Sequence, residues 1–267
     1  MVKLDRELAR PGALIRFADA GGDGIPVIFT HGAGMDHTMF AAQASAAGRE
    51  GYRPVLWDLR GHGLSALHED ARFTASDALA DLGALVDACG AVRPILVGHS
   101  LGGNLSQAHV RRHPDTAAGL IVVDATWNAG PLTRMERLAL RLAAPMLALV
   151  PGGSLPRLMA RASAVSPGAI AEIQAVFERM PKRTFLDVWR ATVSLVEPDP
   201  GYRSPVPLAL IRGAADRTGN IAAAMAAWAT EEGISERVIA GAGHVVTLDE
   251  PEPATAAVLS ALREVTA

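Results

Sequence analysis

The sequence predicts an α/β protein built on a mostly parallel sheet with helices on both faces. Short apolar segments alternate with longer helical patterns, and most of these segments are continuous apolar runs. Such runs are typical of strands that are buried on both faces of a parallel sheet. The predicted strands are residues 27–29, 55–57, 95–97, 120–123, 208–211 and 237–239.

Helical patterns fill the intervals between these strands. Apolar residues recur at three- and four-residue spacing over residues 79–89, which predicts a helix that Ser76 caps and that ends at Gly90. A second helix is expected to begin directly after Ser100 and to stop before Pro114. Alternating strands and helices joined by short connections favour a doubly wound sheet.

Residues 126–200 interrupt this alternation. They are rich in Leu, Ala, Met, Arg and Pro, have helical patterns in pieces, and contain no convincing strand. We therefore predict a core formed by residues 1–125 and 201–267, with residues 126–200 inserted as a helical cap, or lid. Extra helices packed on the core are the simpler alternative.

Composition limits the classes of partner. The 267 residues are 49% hydrophobic, and 25 basic against 28 acidic residues give a net charge of −3, without the basic surface that nucleic acids or anionic membranes require. Cys89 falls in an apolar helical stripe and is expected to be a buried core residue. The N-terminus has no run typical of a signal peptide, and Arg141 and Pro145 interrupt the longest apolar stretch. We expect a cytoplasmic protein that acts on a small molecule, with homo-oligomerisation left open.

The strongest chemical motif is residues 98–102, Gly-His-Ser-Leu-Gly, between a predicted strand and a predicted helix. A serine that attacks a carbonyl carbon must project from the sheet on a tight, strained turn, and the flanking glycines avoid clashes there. The amide of Leu101 lies at a helix start, where it can donate to a developing oxyanion. Ser100 is therefore the candidate nucleophile.

A serine hydroxyl needs a base at neutral pH, and His244 follows the last predicted strand in a glycine-containing loop. Asp216 follows the strand at 208–211 and can accept the Nδ1–H of the imidazole. The order Ser, Asp, His is the one expected for a serine nucleophile on this type of turn. Asp124 also ends a predicted strand and remains an alternative to Asp216.

The loop at residues 31–34, His-Gly-Ala-Gly, closes the strand at 27–29. Such a loop can direct a second amide, that of Ala33, at the same oxyanion. For His31 we expect a structural role through hydrogen bonds in the loop.

Two other kinds of site are disfavoured. Residues 61–66 fit the dinucleotide pattern G-x-G-x-x-A, but no apolar helix opens on them, and Asp81 lies inside a helix where a ribose-binding acid would end a strand. We expect no cofactor. The histidines form no metal-ligand spacing, so we expect no metal site. Six of them are expected at the surface or in loops: 37, 62, 68, 99, 109 and 113. Of these, His37 and His99 remain candidates to line the mouth of the pocket.

The set HGAG (31–34), DLRGHGLS (58–65), GHSLGG (98–103), residues 213–216 and AGHVVTLDEPE (242–252) resembles the α/β-hydrolase superfamily. The resemblance implies a mostly parallel eight-stranded sheet, a helical cap, and acyl transfer through a covalent serine ester. It implies Ser100, Asp216 and His244 as the triad and the amides of Ala33 and Leu101 as the oxyanion hole. The segment 58–65 is expected to have a structural role and to take no part in the reaction, so it does not narrow the substrate.

Serine at position 100 argues against haloalkane dehalogenase or epoxide hydrolase chemistry, which in this superfamily uses an aspartate there. Hydrolysis of a carboxylic ester or lactone is the favoured function. Alternatives are hydrolysis of a carbon–carbon bond in a diketone-like substrate, amide, thioester or perhydrolase activity, and a receptor without turnover. Four aromatic residues of the cap indicate either a mainly apolar substrate pocket or simply the core of the cap: Trp127, Phe177, Phe185 and Trp189.

Overall fold

The computed structural model describes residues 3–267, which contain one sheet of nine strands. The main path has the eight strands that the resemblance implies, in the order β1-β2-β4-β3-β6-β7-β8-β9, and the short β5, which pairs with β2, is a ninth that was not expected. Pairings from β4 to β9 along this path are parallel, whereas β1, β2 and β4 pair antiparallel. The strands are β1 (Arg6–Arg10), β2 (Ala13–Asp19), β3 (Pro26–Thr30), β4 (Arg53–Trp57), β5 (Ala66–Leu67), β6 (Ile95–His99), β7 (Gly119–Val123), β8 (Leu208–Gly213) and β9 (Arg237–Ile239).

The six predicted strands are confirmed as β3, β4, β6, β7, β8 and β9. Successive side chains along these strands enter two separate apolar clusters, one on each face of the sheet. Ile28 and Leu96 join one cluster, whereas Val27 and Val97 join the other. Continuous apolar runs are therefore required here because both faces are buried.

Helices supply the other half of each cluster. One face is covered by α2 (Ala75–Ala88), α3 (Leu101–Arg112) and α8 (Ile221–Glu232). The other is covered by α1 (Ala41–Arg49) and α10 (Pro251–Val265), with the short α9 (Val246–Asp249) before α10. Helices on both faces of a mostly parallel sheet confirm the predicted fold class.

The strands β1 and β2 were not among those predicted from apolar runs. They form an antiparallel hairpin at one edge of the sheet, and β2 alternates buried with half-buried residues. Ala13, Ile15 and Phe17 point inward, and Leu14 and Arg16 lie between them. Alternation is the pattern of an antiparallel strand with one face partly solvated, so continuous runs could not reveal it.

The helix predicted over residues 79–89 is α2, but Ser76 does not cap it. Thr74 is the N-cap, and its hydroxyl accepts a hydrogen bond from the N–H of Asp77. Gly90 follows the helix with φ 55°, the left-handed conformation of a helix end that glycine adopts without strain. The helix expected after Ser100 is α3.

Four helices lie between β7 and β8, and no strand is found over residues 124–207. They are α4 (Arg134–Leu149), α5 (Leu155–Ser163), α6 (Pro167–Phe177) and α7 (Lys182–Ser194). In the pairwise packing, α5 contacts α6 and α4 contacts α7. Over residues 3–267, each helix is too short or too polar to cross a bilayer.

Candidate active site

Ser100 occupies a tight turn between β6 and α3. Its backbone has φ 50° and ψ −117°, a conformation that residues with a side chain rarely adopt, and its N–H donates to the carbonyl of Val123 at 3.0 Å. The glycines of the motif are required by space. A Cβ at Gly98 would lie 2.3 Å from the carbonyl oxygen of Gly102, and one at Gly102 would lie 2.1 Å from that of Thr30.

The three side chains predicted to form a triad lie in a hydrogen-bonded row. His244 Nε2 is 3.0 Å from Ser100 Oγ, and His244 Nδ1 is 3.1 Å from Asp216 Oδ2. The other carboxylate oxygen, Asp216 Oδ1, accepts the N–H of Thr218 at 2.8 Å. The order hydroxyl, imidazole, carboxylate is the one that proton transfer from the hydroxyl requires.

The carboxylate of Asp216 is completely shielded from solvent. Burial by itself raises its pKa, but the charge of His244 and hydrogen bonds from His244 and Thr218 outweigh burial and lower the pKa to about 2. Asp216 is therefore ionised throughout the neutral range. An ionised acceptor keeps the proton of the neutral imidazole on Nδ1, which leaves Nε2 free to accept the proton of Ser100.

Asp124, the alternative acid, follows β7 and has φ 42°. Its Oδ1 accepts the N–H of Gly213 at 2.8 Å, whereas the imidazole of His244 donates to Asp216. The side chain of Asp124 therefore binds the end of β8, and Asp216 is the carboxylate that contacts the histidine.

The loop at residues 31–34 lies directly against the nucleophile. A Cβ at Gly32 would be 3.2 Å from Ser100 Cβ and 2.5 Å from His99 Nδ1, so only glycine fits. Ala33 follows Gly32 in this loop, and Leu101 is the first residue of α3. The N–H groups at a helix start have no partner within the helix and are available to an anion.

His31 is fully buried and holds this loop in place. Its Nε2 accepts the N–H of Leu59 at 2.9 Å, and its Nδ1 is 2.8 Å from the carbonyl oxygen of Gly32. Burial lowers the pKa of His31, so the ring is a neutral structural element. The structural role predicted for His31 is confirmed.

The segment 58–65 is also structural. The carboxylate of Asp58 accepts the N–H of His37 and the N–H of Leu64, both at 2.7 Å. The hydroxyl of Ser65 donates to the carbonyl of Asp58 at 2.7 Å and accepts the N–H of Arg16 at 2.8 Å. These bonds close a compact loop beside the one that contains His31.

Asp81 binds arginine side chains and is not available to bind a ribose. Its carboxylate accepts two hydrogen bonds from the buried guanidinium of Arg60, at 2.7 and 2.8 Å, and one from Arg10 at 3.0 Å. The acid that the dinucleotide pattern at 61–66 would need is thus bound by two arginines, Arg60 in the core and Arg10 at the sheet edge.

The expectation that six histidines are surface or loop residues is wrong for His99 in β6 and His109 in α3, which are buried. His37 opens a short 3-10 helix (His37–Phe40) and His62 lies in a connecting segment, and both are buried as well. Burial lowers the pKa of His62 and His99 to about 3 and that of His109 to about 4, so these rings are neutral. Each of these three rings has a polar contact, which is how a neutral imidazole is accommodated in a core.

His99, which the sequence left as a candidate for the pocket mouth, contacts the loop that contains His244. Its Nε2 lies 2.8 Å from the carbonyl oxygen of His244, so the neutral ring donates to the backbone of the loop that presents the base. The two rings are 4.8 Å apart between centroids. The motif G-x-S-x-G leaves this position variable, and only the fold reveals its contact.

One of the helices inserted between β7 and β8, α6, contacts the loop at residues 31–34. Gly34 has φ 75°, and a Cβ there would lie 2.3 Å from the ring of Phe177 at the end of α6. Phe177 packs against Phe185 of α7. Trp127 instead stacks on Trp228 of α8, with centroids 5.9 Å apart, and belongs to the core on the other side of the sheet.

Over residues 3–267, one trio has ligand atoms close enough to hold a metal ion: Asp124, Asp216 and His244, within 4.8 Å of one another. Both ring nitrogens of His244 already contact protein groups. The imidazole of His244 therefore has no nitrogen free for a metal ion at this trio.

Curated proteins match part of the chain. An sn-1-specific diacylglycerol lipase of Mus musculus is 36% identical over 99 residues, which are 37% of this chain and 32% of the lipase. The chain spans 32–40% of the length of the first curated relatives it matches.

Solved structures match over nearly the whole chain. A thermophilic esterase from Thermogutta terrifontis superposes with a TM-score of 0.79 at 27% identity, covering 98% of this chain and 100% of the esterase. The enol-lactonase from Burkholderia xenovorans LB400 has the same fold, with a TM-score of 0.79 at 21% identity, covering 97% of this chain and 100% of the lactonase. The model of the alpha/beta hydrolase family matches residues 27–258, and the chain belongs to this family.

Proposed function

We propose that the chain is a serine hydrolase that cleaves a small, mainly apolar carboxylic ester or lactone through an acyl-enzyme. The row of Ser100, His244 and Asp216, with contacts of 3.0 and 3.1 Å, is the observation that carries the proposal. The similarity to an esterase, a lipase and a lactonase supports cleavage of ester bonds.

In the first half of the reaction, Ser100 Oγ attacks the acyl carbon while its proton moves to His244 Nε2. The imidazolium that forms is stabilised by the carboxylate of Asp216. Negative charge on the former carbonyl oxygen is held by the amides of Ala33 and Leu101. As the tetrahedral intermediate collapses, His244 protonates the leaving alcohol, and the acyl group remains on Ser100.

In the second half, water replaces the alcohol. His244 removes a proton from water as its oxygen attacks the acyl carbon, and the same amides hold the second oxyanion. The bond to Ser100 then breaks, its oxygen recovers the proton from His244, and the carboxylic acid leaves. With a lactone, acid and alcohol leave as one molecule.

The helices α4–α7 act as a cap over the reacting atoms in this proposal. Phe177 contributes an apolar contact to the loop that contains Ala33, next to the buried ring of Phe185 in α7. An apolar roof favours acyl or alcohol groups without charge, because a charged group would be desolvated there without a partner.

A substrate panel tests the proposal. Purified protein is assayed with esters and lactones of increasing chain length and with one diketone, alongside Ser100→Ala. Turnover of the uncharged esters or lactones is expected, with a loss of about 10⁴-fold or more in Ser100→Ala.

Ser76→Ala, an exposed serine in α2, is the matched control and is expected to keep full activity. If only the diketone were hydrolysed, the proposed ester cleavage would be wrong and the activity would be hydrolysis of a carbon–carbon bond. Turnover that survives in Ser100→Ala would overturn the mechanism.

A further inference from the structure

Two carboxyl groups lie side by side beneath the candidate base. Asp124 follows β7 and Asp216 follows β8, and these strands are parallel neighbours in which Val123 pairs with Ile211. The backbone N–H of Asp124 donates to the carbonyl of Ile211 at 2.9 Å. The position of the Asp124 side chain is thus fixed by the sheet itself.

The pair lacks enough donors for two ionised carboxylates. Asp216 accepts from His244 and from the N–H of Thr218. Asp124 Oδ1 accepts the N–H of Gly213, but its Oδ2 is buried and receives no hydrogen bond from any described donor. An unsatisfied, fully buried carboxylate oxygen is costly, whereas a hydroxyl at the same place can donate.

Electrostatics assign the single proton of this pair. Burial, followed by repulsion from Asp216, raises the pKa of Asp124 well above its ordinary value, whereas that of Asp216 is lowered. The charge of Arg212 opposes this rise only weakly, and its guanidinium is held by two hydrogen bonds of 2.9 Å to Glu236. A proton on this pair is therefore favoured on Asp124, which has a carboxylate oxygen within 4.8 Å of one of Asp216.

We propose that Asp124 is a neutral carboxylic acid that donates a hydrogen bond to Asp216 and so positions the carboxylate that orients His244. The hydrogen-bonded row then has four members, from the hydroxyl of Ser100 to the carboxylic acid of Asp124. Asp124 is a positioning residue, because it acts through Asp216. The kinetic part of this inference rests on the proposed function.

The arrangement has a specific consequence when Asp216 loses its charge. In Asp216→Asn the repulsion disappears, and Asp124 is free to ionise within 4.8 Å of the imidazole. Asp124 then takes over part of the stabilisation of the imidazolium. A purely structural Asp124 has no such effect.

Kinetics of a double-mutant cycle test this consequence. Asp124→Asn alone keeps the shape, a donor to Asp216 and an acceptor for Gly213, so kcat is expected to change by about threefold or less. Asp124→Asn added to Asp216→Asn is expected to lower kcat by a further factor of about ten or more, because the carboxylate of Asp124 can no longer stabilise the imidazolium. Equal factors in the two backgrounds would overturn the proposal.

Infrared spectroscopy tests the proton directly and needs no activity. The carbonyl stretch of a neutral, buried carboxylic acid is expected near neutral pH in both wild type and Ser100→Ala, and its loss is expected in Asp124→Asn. Absence of this band in wild type, or its persistence in Asp124→Asn, contradicts the proposal. Because Ser100→Ala is inactive under the proposed function, the band separates a failure of this inference from a failure of that function.

Discussion

At the level of single side chains, the site depends on a neutral His99 beside the proposed base. The ring has room for one donated hydrogen bond, to the carbonyl of His244, and its Nδ1 is buried without a hydrogen-bond partner among the described residues. Burial, followed by repulsion from His244, lowers the pKa of His99 to about 3. His99 therefore positions the loop of the base without adding a competing charge.

Replacing His99 tests this positioning. His99→Ala is expected to lower kcat about tenfold with little change in KM, which corresponds to about 1.4 kcal/mol for one lost buried hydrogen bond. His99→Gln retains a donor and is expected to recover part of the loss. Steady-state kinetics check both variants against His68→Ala, an exposed control. A change confined to KM would contradict the positioning role.

The sequence indicated the three side chains of the proposed triad, but not the contacts of the residues that position them. Ser100, Asp216 and His244 each follow a predicted strand, and the carboxyl ends of parallel strands meet at one edge of the sheet. The contacts of Asp124 and His99 depend on strand register and on a loop folding back over 145 residues, which no local pattern contains.

At the level of elements, glycines set how closely the loops approach Ser100. The loop at 31–34 packs between the side chains of His99 and Phe177. A Cβ at Gly32 would clash with His99, and one at Gly34 would clash with Phe177. Local patterns predicted the turn and its amides, but not these contacts. The helix cap at Thr74 was missed for a similar reason, because Ser76 has the same chemistry two residues later.

Gly32→Ala tests the placement of the oxyanion loop. The added Cβ would meet His99 at 2.5 Å, so the loop must shift, and a displaced oxyanion donor is expected to lower kcat about 10²-fold or more. Gly153→Ala is the matched control, because its Cβ meets nothing within 4 Å. Kinetics and thermal unfolding of both variants check the prediction. Unchanged kcat in folded Gly32→Ala would show that this loop does not hold the oxyanion.

For the molecule as a whole, the sheet was predictable where both faces are buried and not at its edge. The runs that became β6 and β7 are apolar on both sides, whereas β1 has the sequence RELAR and is mostly exposed. More histidines are buried than the sequence indicated. A neutral histidine with one hydrogen bond and apolar neighbours fits in a core. These neutral histidines couple folding to pH.

His62 provides the test of this coupling. Burial lowers its pKa to about 3, so below its ordinary value of 6.5 the unfolded chain binds a proton that the folded chain does not. Stability is therefore lost as pH falls from about 6.5 toward 3, by about 2 kcal/mol for this residue at pH 5.

Urea unfolding at pH 7.5 and pH 5 is the measurement. The loss of unfolding free energy between the two pH values is expected to be smaller by about 2 kcal/mol in His62→Gln than in wild type. His68→Gln, at an exposed position, is expected to keep the wild-type difference. Identical pH dependence in wild type and His62→Gln would contradict a neutral, buried His62.

Activation of Ser100 by His244 is tested most directly by covalent labelling. Intact protein is treated with a fluorophosphonate, and the site and rate of modification are followed by mass spectrometry in wild type, Ser100→Ala and His244→Ala. One adduct is expected, on Ser100, absent from Ser100→Ala and formed far more slowly in His244→Ala. Labelling at another residue, or an equal rate without the imidazole, would contradict a nucleophile activated by His244.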